Sequence, residues 1–228
     1  MLLQAALNGP YTKDDHPAMP VTAAELARDA KACVQAGAGA IHMHPRDAEG
    51  RETFAAEVID AAVREVRAAC GVPVGVSTGV WIEPDLDKRL GLIGAWSEPD
   101  YASVNVSEDG WQQVFAVLRE RGIGVEAGVW SVEDARALNE SGLASDLTRI
   151  LIEPVSADAA GAEALVADIR REVAGSILQH GDGAATWILL EDAARNGWDT
   201  RIGLEDTQEA DNPALVRRAM SLIRAQGH

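Results

Sequence analysis

The 228-residue chain is poor in aromatic rings, cysteine and positive charge. Two Phe and two Tyr stand beside six Trp, so the core must come from the Ala, Val, Leu and Ile that dominate the 47% apolar fraction. The two cysteines, Cys33 and Cys70, fall in segments that read as helices and lack metal spacing, so reduced thiols are expected rather than a disulfide. Twenty basic residues against 36 acidic ones give a formal charge of −16. No basic stripe offsets repulsion from phosphate, which argues against nucleic acid as a partner. No apolar run approaches the roughly 18 residues of a membrane span, and Met1 to Gly9 has no basic leader region. No membrane partner is therefore expected, and the cytoplasm is the expected compartment. The first strand-to-helix turn, Asn8-Gly9-Pro10-Tyr11-Thr12-Lys13, also lacks a glycine-rich dinucleotide fingerprint.

What is present is alternation. Short apolar runs alternate with longer amphipathic stretches, the pattern of parallel strands joined by helices. Strands are expected at Leu2 to Leu7, Ala40 to His44, Val72 to Ser77, Tyr101 to Asn105, Gly124 to Gly128, Thr148 to Glu153, Ser176 to His180 and Thr200 to Glu205. Thr22 with Glu25 and Ser131 with Asp134 resemble capping boxes, and Asn212-Pro213 reads as an N-cap followed by proline. Eight such units in roughly 200 to 250 residues fit an α/β fold of the closed (β/α)8 TIM-barrel type, as a single domain over residues 1–228. An open doubly wound sheet is the alternative, disfavoured by the missing fingerprint.

The most informative feature is His42-Met43-His44, at the end of an apolar run. Alternate strand residues share a face, roughly 7 Å apart along the backbone, so both imidazoles can look into one cavity. Such a pair either packs and hydrogen-bonds or ligates a cation. A third donor is available in Arg201-Ile202-Gly203-Leu204-Glu205-Asp206, and two His with one Glu leave an open position suited to catalytic zinc.

In barrels of this type, side chains at the C-terminal strand ends converge on one mouth. The polar residues expected there are His42, His44, Ser77, Thr78, Asn105, Ser107, Glu126, Glu153, His180, Asp182, Arg201, Glu205 and Asp206. Arg201 and Glu205 share a strand face if no bulge intervenes. Arg201 could hold an anionic substrate group or pair with Asp206, and a structural salt bridge is the alternative. Glu126, in an apolar strand, is either a tuned acid or base or a paired structural charge. Ser77-Thr78-Gly79 can donate to a carboxylate or simply turn the chain. His180-Gly181-Asp182-Gly183 leads into a helix and suits either anion binding or capping. The six tryptophans are expected to pack or lie at interfaces rather than form a ligand cage.

Several segments together resemble the β-keto acid cleavage enzymes. These are Thr12-Lys13, Pro17 to Thr22, Ala36 to Ala38, Ile41 to Asp47, Ser77 to Gly79 and Arg201 to Asp206, spread from the first strand to the last. The resemblance implies zinc held by His42, His44 and Glu205 in a homo-oligomer, a dimer or tetramer. It implies exchange of a β-keto acid with acetyl-CoA, giving acetoacetate and a new acyl-CoA by a retro-Claisen route. Zinc would chelate the β-keto carboxylate and polarise its ketone. Ser77 would help fix the substrate, with Thr78, Asn105 and His180 as further contacts. Glu126 would remove the proton between ketone and carboxylate. Asp206, oriented by Arg201, would assist later proton transfer or stabilise the tetrahedral adduct.

Three departures accompany the resemblance. The chain is shorter than typical members, at the loops that shape the mouth, which weakens the case for CoA more than that for zinc. Pro10 stands where the enzyme that gives the family its name carries an acid for a substrate ammonium, which argues against an amino substrate. His180 to Gly183 differs from the usual strand-seven segment. Two other readings remain open at this level: a metal-dependent aldolase or hydrolytic C–C lyase without CoA, and a non-catalytic barrel that binds metal or a small molecule.

Overall fold

The computed structural model describes residues 1–154 and 159–227. The described residues form eight parallel strands in a closed barrel, in sequence order, each followed by a helix. The units are β1 Leu3–Ala6 and α1 Ala23–Ala36, β2 Ala40–Met43 and α2 Ala56–Cys70, β3 Val74–Ser77 and α3 Leu86–Ile93, β4 Tyr101–Asn105 and α4 Trp111–Glu120. They continue as β5 Gly124–Val129 and α5 Val132–Ser141, β6 Arg149–Ile152 and α6 Ala159–Glu172, β7 Ile177–Gln179 and α7 Thr186–Asn196, β8 Asp199–Ile202 and α8 Asn212–Ala225. Short 3-10 turns lie at Ala144–Asp146 and Gly183–Ala185. Pairing of Gln4 with Arg201 and of Ala5 with Ile202 closes the ring between β1 and β8. The (β/α)8 expectation is met. No described helix is long and apolar enough to cross a membrane.

The two-residue period explains the layering. Outward residues of the strands, including Leu3, Ala5, Ile41, Met43, Val74, Val76, Ala102 and Val104, are buried against helical residues such as Leu26, Ile59, Val63, Phe115 and Leu118. Truncating one of the leucines to alanine should cost about 2–5 kcal/mol. The intervening residues face inward, and many are polar. Gln4 donates to the Tyr101 hydroxyl and to Glu126 Oε1, both at 3.0 Å, and Arg149 Nε lies 3.0 Å from the same Glu126 oxygen. Polar groups removed from water must find partners in this way.

Both expected capping boxes form, at Thr22 with Glu25 and at Ser131 with Asp134. Cys33 and Cys70 are free thiols on α1 and α2. Most strands differ from the sequence reading by a residue or two at an end, and two ends differ in ways that bear on the site. Asp211 caps α8 by accepting from Ala214 N, whereas Asn212 is the first helical residue. Its amide instead donates to Leu7 O and Asp29 and accepts from Leu204 N, a better use of a buried group with both donor and acceptor. Strand β8 stops at Ile202 rather than Glu205. At Gly203 a Cβ would meet Ala6 O at 1.8 Å, so the chain lies tight against β1 and then turns, with Asp206 N bonded to Gly203 O.

Candidate active site and metal centre

The ends of β1 and β2 are locked together before any chemistry is considered. Asn8 receives His44 N at 2.9 Å and donates to His44 O at 2.9 Å, gripping one residue's backbone from both sides. This fixes His44 just past the last residue of β2, with His42 two positions earlier, and both are buried. From the other side of the closure, the turn after β8 delivers Glu205. Gly9, at φ +53°, leaves the space its carboxylate arm occupies: a Cβ there would lie 2.5 Å from Glu205 Cγ.

The three side chains meet as expected, although Glu205 arrives on a turn and not on a strand face shared with Arg201. His42 Nε2 and His44 Nε2 are 3.2 Å apart, and they lie 3.7 and 3.6 Å from the two Glu205 oxygens. One donor atom from each falls within 4.8 Å of the others. Glu205 Oε2 is buried with no hydrogen-bond partner. Two neutral-capable nitrogens and a carboxylate with an unspent oxygen form a donor set that fits a divalent cation.

Burial disfavours the charged form of both imidazoles, but the outcomes diverge. For His42 burial outweighs Glu205 and the pKa falls to about 3. For His44 the carboxylates of Glu205 and Glu52 overcome burial and lift it to about 9. Glu205 itself is held far below the ordinary carboxylate range: burial opposes its charge, and Arg201 with the two histidines more than compensates.

These groups stand at the wall of a cavity of about 450 Å³ at the C-terminal mouth of the barrel, lined also by Pro10, Tyr11, Ser77, Trp81, Ser103, Asn105, Trp130, Leu151, Glu153, Asp182 and Arg201. Ser77, Asn105 and Arg201 therefore sit where the sequence placed them. Arg201 takes the pairing role: its Nε and Nη2 reach Asp206 Oδ1 at 3.0 and 2.7 Å, and Nη2 also reaches Glu205 at 3.0 Å. Asp206 Oδ2 has no hydrogen-bond partner. Burial works against the Arg201 charge, but Asp206, Glu205 and Glu153 raise its pKa further.

Five expected site residues lie outside the cavity lining: Thr78, Ser107, Glu126, His180 and Asp206. Thr78 spends its hydroxyl on Ser103 O at 2.7 Å, tying β3 to β4. His180 is fully buried, 3.4 Å from Asp206 Oδ1 and 3.7 Å from Glu153 Oε2. Glu126 is also fully buried, beneath the mouth, against Arg149 and Gln4. Its carboxyl pKa is raised by burial against the opposing pull of Arg149 and Arg201. The glycine loop before α7 is already engaged, since Gly183 N donates to Asp206 O at 2.8 Å.

The tryptophan expectation needs correction. Trp96 is buried with its Nε1 on Phe54 O, and Arg170 and Arg218 cover Trp198 and Trp187, but Trp81 and Trp130 line the cavity. Glu52 was missed altogether: it lies 2.5 Å from His44 Nδ1. Its only sequence signal is position, a short hairpin that closes when Arg46 bridges Glu52.

Comparison with known proteins decides the family. A profile of the beta-keto acid cleavage enzyme family matches residues 1–228. The chain belongs to this family. Two 3-keto-5-aminohexanoate cleavage enzymes are similar to it, one from Acetoanaerobium sticklandii at 31% identity over 107 residues and one from Fusobacterium nucleatum at 36% over 81 residues. Those alignments take in 46% and 35% of this chain and only 38% and 30% of the relatives. A solved ternary complex of ObcA with a C4-CoA adduct and oxalate superposes with a TM-score of 0.72 at 16% identity, over 92% of this chain and 65% of that one. At that identity the likeness is one of fold.

Proposed function

We propose that this chain is a zinc-dependent β-keto acid cleavage enzyme that exchanges its substrate with acetyl-CoA, releasing acetoacetate and a new acyl-CoA. The observation that carries the reading is the convergence of His42, His44 and Glu205 on the wall of a cavity that Arg201 also lines, in a member of this family. The CoA adduct held by ObcA supports a CoA thioester as co-substrate for the same barrel type. Zinc at the three donors would supply Lewis acidity toward the substrate's keto and carboxylate oxygens.

The remaining steps fall to the chain's side chains. Ser77 and Asn105 bind the substrate's oxygens from β3 and β4. Asp206, with Oδ1 tied to Arg201, presents Oδ2 as the base for the proton between ketone and carboxylate. Neither Asp206 nor Glu126 lines the cavity, and each has one buried oxygen without a hydrogen-bond partner. We move the role from Glu126 because Asp206 is held by Arg201, which lines the cavity, whereas Glu126 is held by Arg149 and Gln4, which do not. The resulting carbanion attacks the thioester carbonyl and expels CoA thiolate. The thiolate adds to the original ketone, the bond between that carbon and the carbanion carbon breaks, and Asp206 returns the proton. Products are the acyl-CoA and acetoacetate, with no net oxidation. Thr78 and His180 act as positioning residues, the first through the β4 backbone and the second through Asp206 and Glu153.

The test is elemental analysis of the purified protein with an assay of β-keto acids, with and without acetyl-CoA, following thioesters by mass. The expected result is about one zinc per chain and acetoacetate formation that requires acetyl-CoA. Zinc with cleavage but no new thioester would instead establish the CoA-independent lyase, and zinc with no turnover of any β-keto acid would establish the binding barrel.

A further inference from the structure

We infer that Glu52 and Trp81 form an outer layer that fixes the His44 ring for cation binding, Glu52 as a positioning residue and Trp81 as its support. The inference rests on the metal reading of His42, His44 and Glu205 and adds two residues to it. An imidazole ligates through the nitrogen that lacks a proton, so a histidine beside a cation must be held in one tautomer. An ionised carboxylate only accepts hydrogen bonds. Glu52 Oε1, 2.5 Å from His44 Nδ1, therefore holds a proton on Nδ1, so that Nε2, facing His42 and Glu205, is the nitrogen that would ligate a cation.

Glu52 is itself held in place. Trp81 Nε1 lies 3.4 and 3.3 Å from its two oxygens, and the indole stacks on His44 with 6.3 Å between centroids and 15° between planes. The hairpin carrying Glu52 is anchored by Arg46, which donates to Gly9 O at 2.9 Å and Tyr11 O at 2.7 Å. Trp81 is 49% exposed, one of two exposed large hydrophobic residues among those described, the other being Met1. Core packing does not account for it, whereas the contacts to Glu52 and His44 do. His42 provides the contrast, since its Nδ1 is buried without a hydrogen-bond partner.

The experiment strips the full-length protein of metal and measures Zn²⁺ affinity by chelator competition, with Co²⁺ absorption as a signature of ligand geometry. Glu52→Ala should weaken Zn²⁺ binding about 10–100-fold and alter the Co²⁺ spectrum. Glu52→Gln, whose amide oxygen still accepts from Nδ1–H, should recover part of the affinity. Trp81→Phe keeps the stacked ring and removes the donor, and should cost less than Glu52→Ala. Native affinity and spectrum in Glu52→Ala would overturn the inference while leaving the metal reading intact. A wild-type protein that binds neither ion would overturn both. Should Glu52→Ala fail to fold, unchanged affinity in both Glu52→Gln and Trp81→Phe would overturn the inference.

Discussion

Arg201 at the mouth and Arg149, one inward-facing position below Leu151, are both buried, and each grips a carboxylate. Their surroundings separate them. Arg201 lines the cavity and divides its hydrogen bonds between Asp206 and Glu205, so its charge orders the proposed base and the proposed cation ligand together. Arg149 faces Glu126, whose second contact is Gln4, while the Tyr101 ring lies 5.6 Å from the guanidinium and the Tyr101 hydroxyl donates to Ile41 O. The lower pair ties strands together away from the cavity, whereas the upper pair reaches the cavity through Arg201. The sequence context of a carboxylate in an apolar strand therefore does not assign its role; the partners it meets in the barrel separate the two pairs.

The comparison breaks most sharply at Asp206. Asp206→Asn should lower kcat by about 10²–10⁴-fold, the range of a general base, while zinc content stays near one per chain. Glu126→Gln should act the other way. Turnover should stay within about tenfold, and chemical denaturation should show a loss of about 3 kcal/mol, because the buried Arg149 charge loses its nearest partner. A kcat collapse in Glu126→Gln with unchanged stability would return the base role to Glu126.

A third carboxylate sharpens the contrast because its hydrogen bond comes from a neutral amide. Asp29 accepts from Asn212 Nδ2, and burial lifts its pKa to about 6, with Asp211 adding to the rise against that hydrogen bond. The folded chain therefore binds this proton more tightly than the unfolded chain, whose carboxylate titrates near pH 4. The stabilisation is fully present below that value and disappears as pH rises through 6. Asp29→Asn should remove a loss of about 1–3 kcal/mol between pH 4 and 7, measured by urea denaturation at each pH.

Much of the fold was legible because the strands are short apolar runs whose period-2 faces are buried, as at Ile41 and Met43 or Val74 and Val76. The His42 and His44 pair was legible for the same reason: strand geometry puts alternate residues on one face. Glu205 was found for its chemistry but assigned to a strand, because the tight approach of Gly203 to Ala6 O depends on barrel closure and leaves no local pattern. Glu52 and Trp81 were invisible for a related reason. They belong to separate loops that meet only over His44. Thr78 and Glu126 were read as site residues because their types suit one; neither lines the cavity, with the Thr78 hydroxyl on Ser103 O and Glu126 Oε1 on Arg149 and Gln4.

Closure of β1 on β8 also sets a timetable. The two histidines belong to the second unit of the chain and the glutamate to the last, and Asn212 joins their surroundings by bonding Leu7 O, Asp29 and Leu204 N. During synthesis the first two donors leave the ribosome long before the third, at about 5–20 residues per second. For that interval the nascent protein carries two of the three proposed donors, and the set is complete only when the ring shuts.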